Sequence, residues 1–364
     1  MNIPELKIGD IVARLPIIQG GMGVGISLSG LASAVANCGG IGVISGVETG
    51  FNQPNYLKDK ANENAKALKY HIQRARELSP KGIIGVNIMV ALNNFKDMVK
   101  EAVRENIDII FSGAGLPLEL PSLVENSKTK IVPIVSSAKA AQTICRYWDR
   151  KNNYCPDAIV VEGSDAGGHL GFSEEDLQPE KRRPLIELVK DVLNTIKVFE
   201  EKYLKKIPVI AAGGVFTGAD IRELLNAGAN GVQLGSRFVA TYECDASQEF
   251  KDAYLQASEE DIEIIKSPVG MLGRAIKNKF LEAVSKGERT PPRCVYHCLR
   301  PCNPRKAPYC IADALINAQR GNFEKGFAFA GINVHRINKI VSVKELMEEL
   351  VQGITEYQPV PSRI

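Results

Sequence analysis

The segment Glu162-Gly163-Ser164-Asp165-Ala166-Gly167-Gly168-His169-Leu170-Gly171 sets two carboxylates and a histidine among four glycines within ten residues. A histidine, with an ordinary pKa of about 6.5, can exchange a proton at neutral pH. Glycines lack a Cβ, so their backbone can approach a flat or phosphorylated ligand closely. The apolar run 158–161 in front of this loop reads as a buried strand of a parallel sheet. The C-terminal ends of such strands are where α/β enzymes carry their catalytic side chains. His169 is therefore the candidate catalytic residue, with Glu162 at the strand end beside it. Taken alone, the stretch reads equally as a glycine-rich turn with a solvated histidine.

Other apolar runs end in the same way. After residues 17–19 comes Gly20-Gly21-Met22-Gly23-Val24-Gly25, a glycine cluster able to lie flat under a ring system; its spacing is not that of a dinucleotide fingerprint. Residues 83–87 end in Asn87, an amide placed to hydrogen-bond a heterocycle edge. Ala211-Ala212-Gly213-Gly214-Val215 and Gln233-Leu234-Gly235-Ser236-Arg237 are glycine turns just before short helices. In eight-stranded barrels the loops after strands seven and eight commonly hold a phosphate through backbone N–H groups. Ordinary βα turns would also use glycine there.

These residues need a scaffold that brings strand ends together. Short β-branched runs at 17–19, 41–44, 83–87, 109–111, 131–135, 158–161, 208–211 and 231–234 alternate with amphipathic segments. Helices are expected at 29–38, within 56–78, and at 94–105, 118–126, 138–149, 184–203 and 217–227, the last with Thr217 as N-cap. Eight such repeats predict an α/β fold, a (β/α)8 TIM barrel over 1–240. Residues 241–364 lack the pattern and read as a helical appendage packed on the barrel, with 244–290 helical and charged and 291–310 rich in Pro, Cys and Arg.

The chain of 364 residues is 45% hydrophobic and 24% charged, with a net charge of +3. That near-neutral balance points to neither nucleic acid nor a membrane surface as partner. No apolar run reaches the roughly 18–20 residues of a membrane span, and the N-terminus lacks the apolar core of a signal peptide. A cytoplasmic location with mostly reduced thiols is the expectation.

Five motifs, in order over roughly residues 10–280, carry a more specific resemblance. Pro16-Ile17-Ile18-Gln19-Gly20-Gly21-Met22, Gly85-Val86-Asn87-Ile88-Met89, the Glu162–Gly171 loop, Ile207-Pro208-Val209-Ile210-Ala211-Ala212-Gly213-Gly214 and Gln233-Leu234-Gly235-Ser236-Arg237-Phe238 resemble the nitronate monooxygenase (2-nitropropane dioxygenase) family. Its close relatives, the flavin-dependent enoyl-acyl-carrier-protein reductases, share the motifs. The resemblance implies a barrel that binds FMN non-covalently, with the phosphate between Gly213-Gly214 and Gly235-Ser236. It puts Gly21, Met22 and Asn87 along the isoalloxazine, Gly167 and Gly168 where the ring needs room, Gln233 near the cofactor, and His169 beside the flavin. Glu162 is grouped with these cofactor-binding residues.

By the resemblance, the reaction is FMN-dependent oxidation of a nitronate by O₂ to a carbonyl compound and nitrite. The alternative is an NAD(P)H-dependent enoyl reductase, for which Lys181-Arg182-Arg183, Arg274, Lys277 and Lys279 could form a carrier-binding patch, or a related NAD(P)H:acceptor flavin reductase. The partner is then a small-molecule substrate, with NAD(P)H as a second one in the alternative, and a homodimer is a compatible assembly. A flavin-free barrel acting on a phosphorylated sugar would use the same glycines, but would ordinarily need a lysine or paired carboxylates on separate strands. His71, His297 and His335 lie away from the strand ends and read as structural.

One feature departs from the family pattern. Cys294, Cys298, Cys302 and Cys310 fall within seventeen residues of a chain with eight cysteines. An Fe–S cluster or structural zinc is conceivable, yet the spacing matches neither Cys-x2-Cys zinc pairs nor ferredoxin runs. Packed or surface thiols in a Pro-rich loop are the plainer reading, and no metal ligand is assigned.

Overall fold

The computed structural model describes residues 3–288 and 294–357. Residues 289–290 of the segment read as helical, and 291–293 of the Pro-, Cys- and Arg-rich stretch, lie outside the described residues. Eight parallel strands close into a barrel in sequence order: Ile17–Gln19, Ile41–Ser45, Ile83–Asn87, Ile109–Ser112, Lys130–Val135, Ile159–Glu162, Val209–Ala212 and Gly231–Leu234. Closure is made by the eighth strand on the first, Val232 opposite Ile17 and Leu234 opposite Gln19. The seven expected helices form between them, and Thr217 caps the seventh in a reciprocal arrangement with Asp220.

β-branched residues dominate these strands because both faces are buried, one against the barrel interior and one against helices. Ile18, Val43, Phe111, Val132, Val160 and Ile210 fill the interior. Burying each such side chain completely contributes about 1.5–3 kcal/mol. An N-terminal hairpin, Leu6–Ile8 paired with Ile11–Ala13, adds Leu6, Ile8 and Ala13 to the same cluster. It closes the end where strands begin, since Leu6 lies against Gly231 and Asp10 pairs with Lys130. The opposite end stays open for a ligand.

Beyond residue 240 the chain is less purely helical than its charge pattern suggests. Helices Gln248–Gln256 and Lys279–Ser285 flank a hairpin, Ile262–Lys266 with Leu272–Ile276. The hairpin was hidden because its second strand, Leu272-Gly273-Arg274-Ala275-Ile276, contains a glycine and an arginine and its first carries Glu263 and Lys266. Its second strand pairs with Gly168–Leu170, setting Gly273 opposite His169 and Arg274 opposite Gly168. The last helix, Val343–Glu356, packs on Gly218–Asn226 and Ser29–Asn37, where Arg222 Nε donates to the Ile354 carbonyl at 3.1 Å. It occupies the place of the helix that would follow the eighth strand, which itself leads only into the short Ser236–Val239 turn of helix. No helix among the described residues is long and apolar enough to cross a membrane.

Candidate active site

The open end of the barrel holds a cavity of about 280 Å³. Each of the strand-end residues singled out in the sequence lines it: Gly21, Met22, Asn87, Glu162, Gly167, Gly168, His169, Gly213, Gly214, Gln233, Gly235 and Ser236. They come from five different strands, so only barrel closure brings them together. His71, His297 and His335 are elsewhere; His71 bonds Ser29 Oγ at 3.1 Å, and His335 Nδ1 lies 3.1 Å from the Ile332 carbonyl.

The first-strand loop lies flat on the third strand's end. A Cβ at Gly21 would stand 2.4 Å from the Asn87 Cβ, so only glycine permits this approach. On the far side, Gly213 and Gly214 both adopt positive φ, +92° and +83°. Among the described residues no hydrogen bond engages the N–H groups of Gly214, Gly235 or Ser236. Three unengaged donors around one rim make a cradle that suits an anionic oxygen group.

His169 stands on the short strand paired with the hairpin, its Nε2 2.8 Å from Ser267 Oγ. Its ring packs edge-on against Phe329, with centroids 4.9 Å apart. Burial pushes its pKa down to about 4, so the imidazole is neutral at physiological pH. Burial moves Glu162 the other way, to about 7, and its carboxyl meets no hydrogen-bonding or charged partner among the described residues. It can therefore accept or donate a hydrogen bond near neutrality.

Arg274 holds this loop in place. Buried to 2% exposure, it donates to the Ser164 carbonyl and, at 2.6 Å, to the Ala166 carbonyl. The expectation that Arg274 contributes to a basic patch at the pocket mouth is thus corrected: the strand register turns it inward, and burial lowers its pKa to about 10. Arg182 is likewise drawn to Asp165, at 3.1 Å, and Arg183 to Glu187 and Asp191. Replacing Arg274 by methionine keeps its length but leaves two carbonyls unpaired. This should cost about 1.5–3 kcal/mol, read as a lowered melting temperature; an unchanged one would mean the loop is held by something else.

The sequence reading missed the chamber's roof. Residues 327–334 cross the cavity, bonded to the hairpin through Ile276 N to Ala328 O (2.9 Å) and Ala330 N to Arg274 O (3.2 Å). Gly331 N donates to Ser236 Oγ at 2.9 Å and Asn333 Nδ2 to the Gly214 carbonyl at 2.6 Å, tying the roof to both glycine turns. Tyr254 donates its hydroxyl to the Phe329 carbonyl. A Cβ at Gly167 would meet the Ala330 carbonyl carbon at 2.4 Å, so that glycine accommodates the roof; at Gly168 the same direction is open. A signal existed in the sequence: Gly326-Phe327-Ala328-Phe329-Ala330-Gly331 alternates large and small with period two.

A closed parallel barrel whose open end joins a glycine cradle, a flat glycine floor and a neutral histidine under aromatic cover is the architecture of an α/β-barrel enzyme. The nitronate monooxygenase family model matches residues 5–353, and the chain belongs to that family; it is an oxidoreductase of this class. A probable nitronate monooxygenase of Staphylococcus aureus strain Newman is 26% identical over 357 residues, covering 92% of this chain and 95% of that protein. The structure of FabK from Thermotoga maritima superposes with a TM-score of 0.73 at 26% identity, covering 94% of each chain. A nitroalkane oxidase from Streptomyces ansochromogenes shares the fold, with a TM-score of 0.72 at 20% identity over 94% of this chain and 97% of that one.

Proposed function

We propose that the protein binds FMN in this cavity and oxidises small alkyl nitronates with O₂, releasing a carbonyl compound and nitrite. Gly214, Gly235 and Ser236 would hold the phosphate through their N–H groups, and Gly21, Met22 and Asn87 would lie along the ring. Gln233 would line the cofactor's edge, Gly167 and Gly168 its His169 side, and Glu162 is suited to a hydroxyl of the chain between ring and phosphate. When bound, FMN supplies the electron transfer and the reaction with O₂. The residues of this chain supply position, exclusion of water and proton handling.

His169 carries the reading. Its imidazole is neutral, faces a chamber walled by Phe327 and Phe329, and is fixed by Ser267. With Ser267 accepting from Nε2–H, Nδ1 keeps a lone pair that can take the α-proton of a nitroalkane or meet a nitronate once protonated. The apolar walls favour a compact substrate. The loss of Arg274 from the mouth weakens the case for a carrier protein, while likeness to FabK keeps enoyl-thioester reduction as the second reading.

Steady-state assays separate the two. Nitrite release with O₂ uptake from propyl nitronates, without NAD(P)H, supports the proposal. NAD(P)H oxidation that requires crotonyl thioester, with no nitrite from nitronates, would replace it by the reductase.

A further inference from the structure

Cys294, Cys298, Cys302 and Cys310 all line a second cavity, of about 230 Å³, that shares no lining residue with the first. All four are free thiols. Gathering four thiols spread over seventeen residues requires a fixed loop, and the barrel fixes it. Asn93 N donates to the Cys298 carbonyl at 3.0 Å and Arg300 N to the Ala91 carbonyl at 2.9 Å. Lys60 Nζ reaches the Tyr296 carbonyl, and the Tyr296 hydroxyl donates to Asp313 at 3.0 Å. His297, at a φ of +46°, turns its N–H toward Cys294 Sγ at 3.4 Å. Hydrogen bonds to cysteine sulfur are a regular feature around iron–sulfur centres.

The size of the cavity they line, about 230 Å³, bears on the ligand. A tetrahedral zinc about 2.3 Å from each sulfur would draw its ligands to within roughly 4 Å of one another. Among the described residues no three His, Cys, Asp or Glu side chains form a group that could hold a metal ion as the side chains stand. Four thiols around a cavity far larger than one ion suit a body that offers each sulfur its own attachment point. We propose that Cys294, Cys298, Cys302 and Cys310 ligate a [4Fe–4S] cluster, one thiolate to each iron. Cys310 immediately precedes helix Ile311–Gln319, and Leu315 of that helix lines the active-site chamber. Five residues at 1.5 Å each separate the two along the axis by about 7.5 Å, so the cluster would neighbour the flavin site. The inference is independent of which reaction that site performs.

The test is iron and acid-labile sulfide analysis of the full-length protein, purified without oxygen and then reconstituted with ferrous iron and sulfide. About four of each per chain are expected, with a broad absorbance that dithionite bleaches and an EPR signal in the reduced state. Cys298→Ser and Cys302→Ser should each lose most of the iron while keeping flavin, because neither residue lines the first cavity. Should those variants fail to fold, the wild-type protein still decides. One zinc per chain, four titratable thiols, or disulfides in place of iron after reconstitution would each overturn the proposal. So would folded variants that keep their full iron content.

Discussion

Replacing His169 by alanine should lower turnover by about 10²–10⁴-fold, the range for a positioned proton-transfer group, with FMN still bound. The side chain contacts Ser267 and Phe329 and contributes nothing to the glycine cradle, so catalysis and cofactor retention should separate. Turnover at the wild-type level would remove His169 from the chemistry. The pH dependence follows from burial. With its pKa near 4 in the folded protein, the imidazole is already a competent base at pH 5, and activity limited by it should fall only as pH approaches 4. Stability shows the matching trend. Between about 6.5 and 4 the unfolded histidine binds a proton that the folded one refuses, so folding weakens as pH drops through that window. His71, lowered to about 4 by burial as well, adds the same slope. In His169→Ala that slope should shrink, measured as melting temperature against pH.

Gly235→Val should release the cofactor without unfolding the protein. Gly235 has a φ of −114°, which other residues adopt, and a Cβ there would touch only Met22, at 3.5 Å and beyond. The backbone and its surroundings therefore accept a Cβ at this position. An anion seated on the N–H groups of Gly235 and Ser236 does not, because the valine methyls would crowd its approach. FMN affinity should fall tenfold or more, about 1.4 kcal/mol or above, read as flavin-to-protein ratio after gel filtration beside an unchanged circular dichroism spectrum. Undiminished flavin content would place the phosphate elsewhere.

The barrel was legible because each repeat announces itself locally. A short β-branched run with a glycine or polar strand end recurs eight times, seven of them followed by one of the expected helices, and strand ends in such a fold converge by geometry alone. That is why the meeting of His169, Asn87 and the two glycine turns at one end of the barrel was legible in the sequence. The roof and the hairpin were not, because their meaning is tertiary. Ser267, Arg274 and Phe329 lie 98 to 160 positions along the chain from His169 and acquire a role only when strand Leu272–Ile276 docks beside it. Arginine in a segment rich in Lys and Glu reads as surface charge; only the register of that strand turns Arg274 onto the carbonyls of 164 and 166. The placement of the last helix was equally hidden, since nothing in Val343–Glu356 itself says which of the barrel's helices it stands between.

The most direct test of the central claim is the visible spectrum of the protein purified without oxygen and loaded with FMN, recorded on addition of a propyl nitronate and, separately, of NADH. The flavin bands should bleach with the nitronate, persist with NADH, and return on admitting air as nitrite appears. Bleaching by NADH alone, or a protein that will not take up FMN at all, would contradict it.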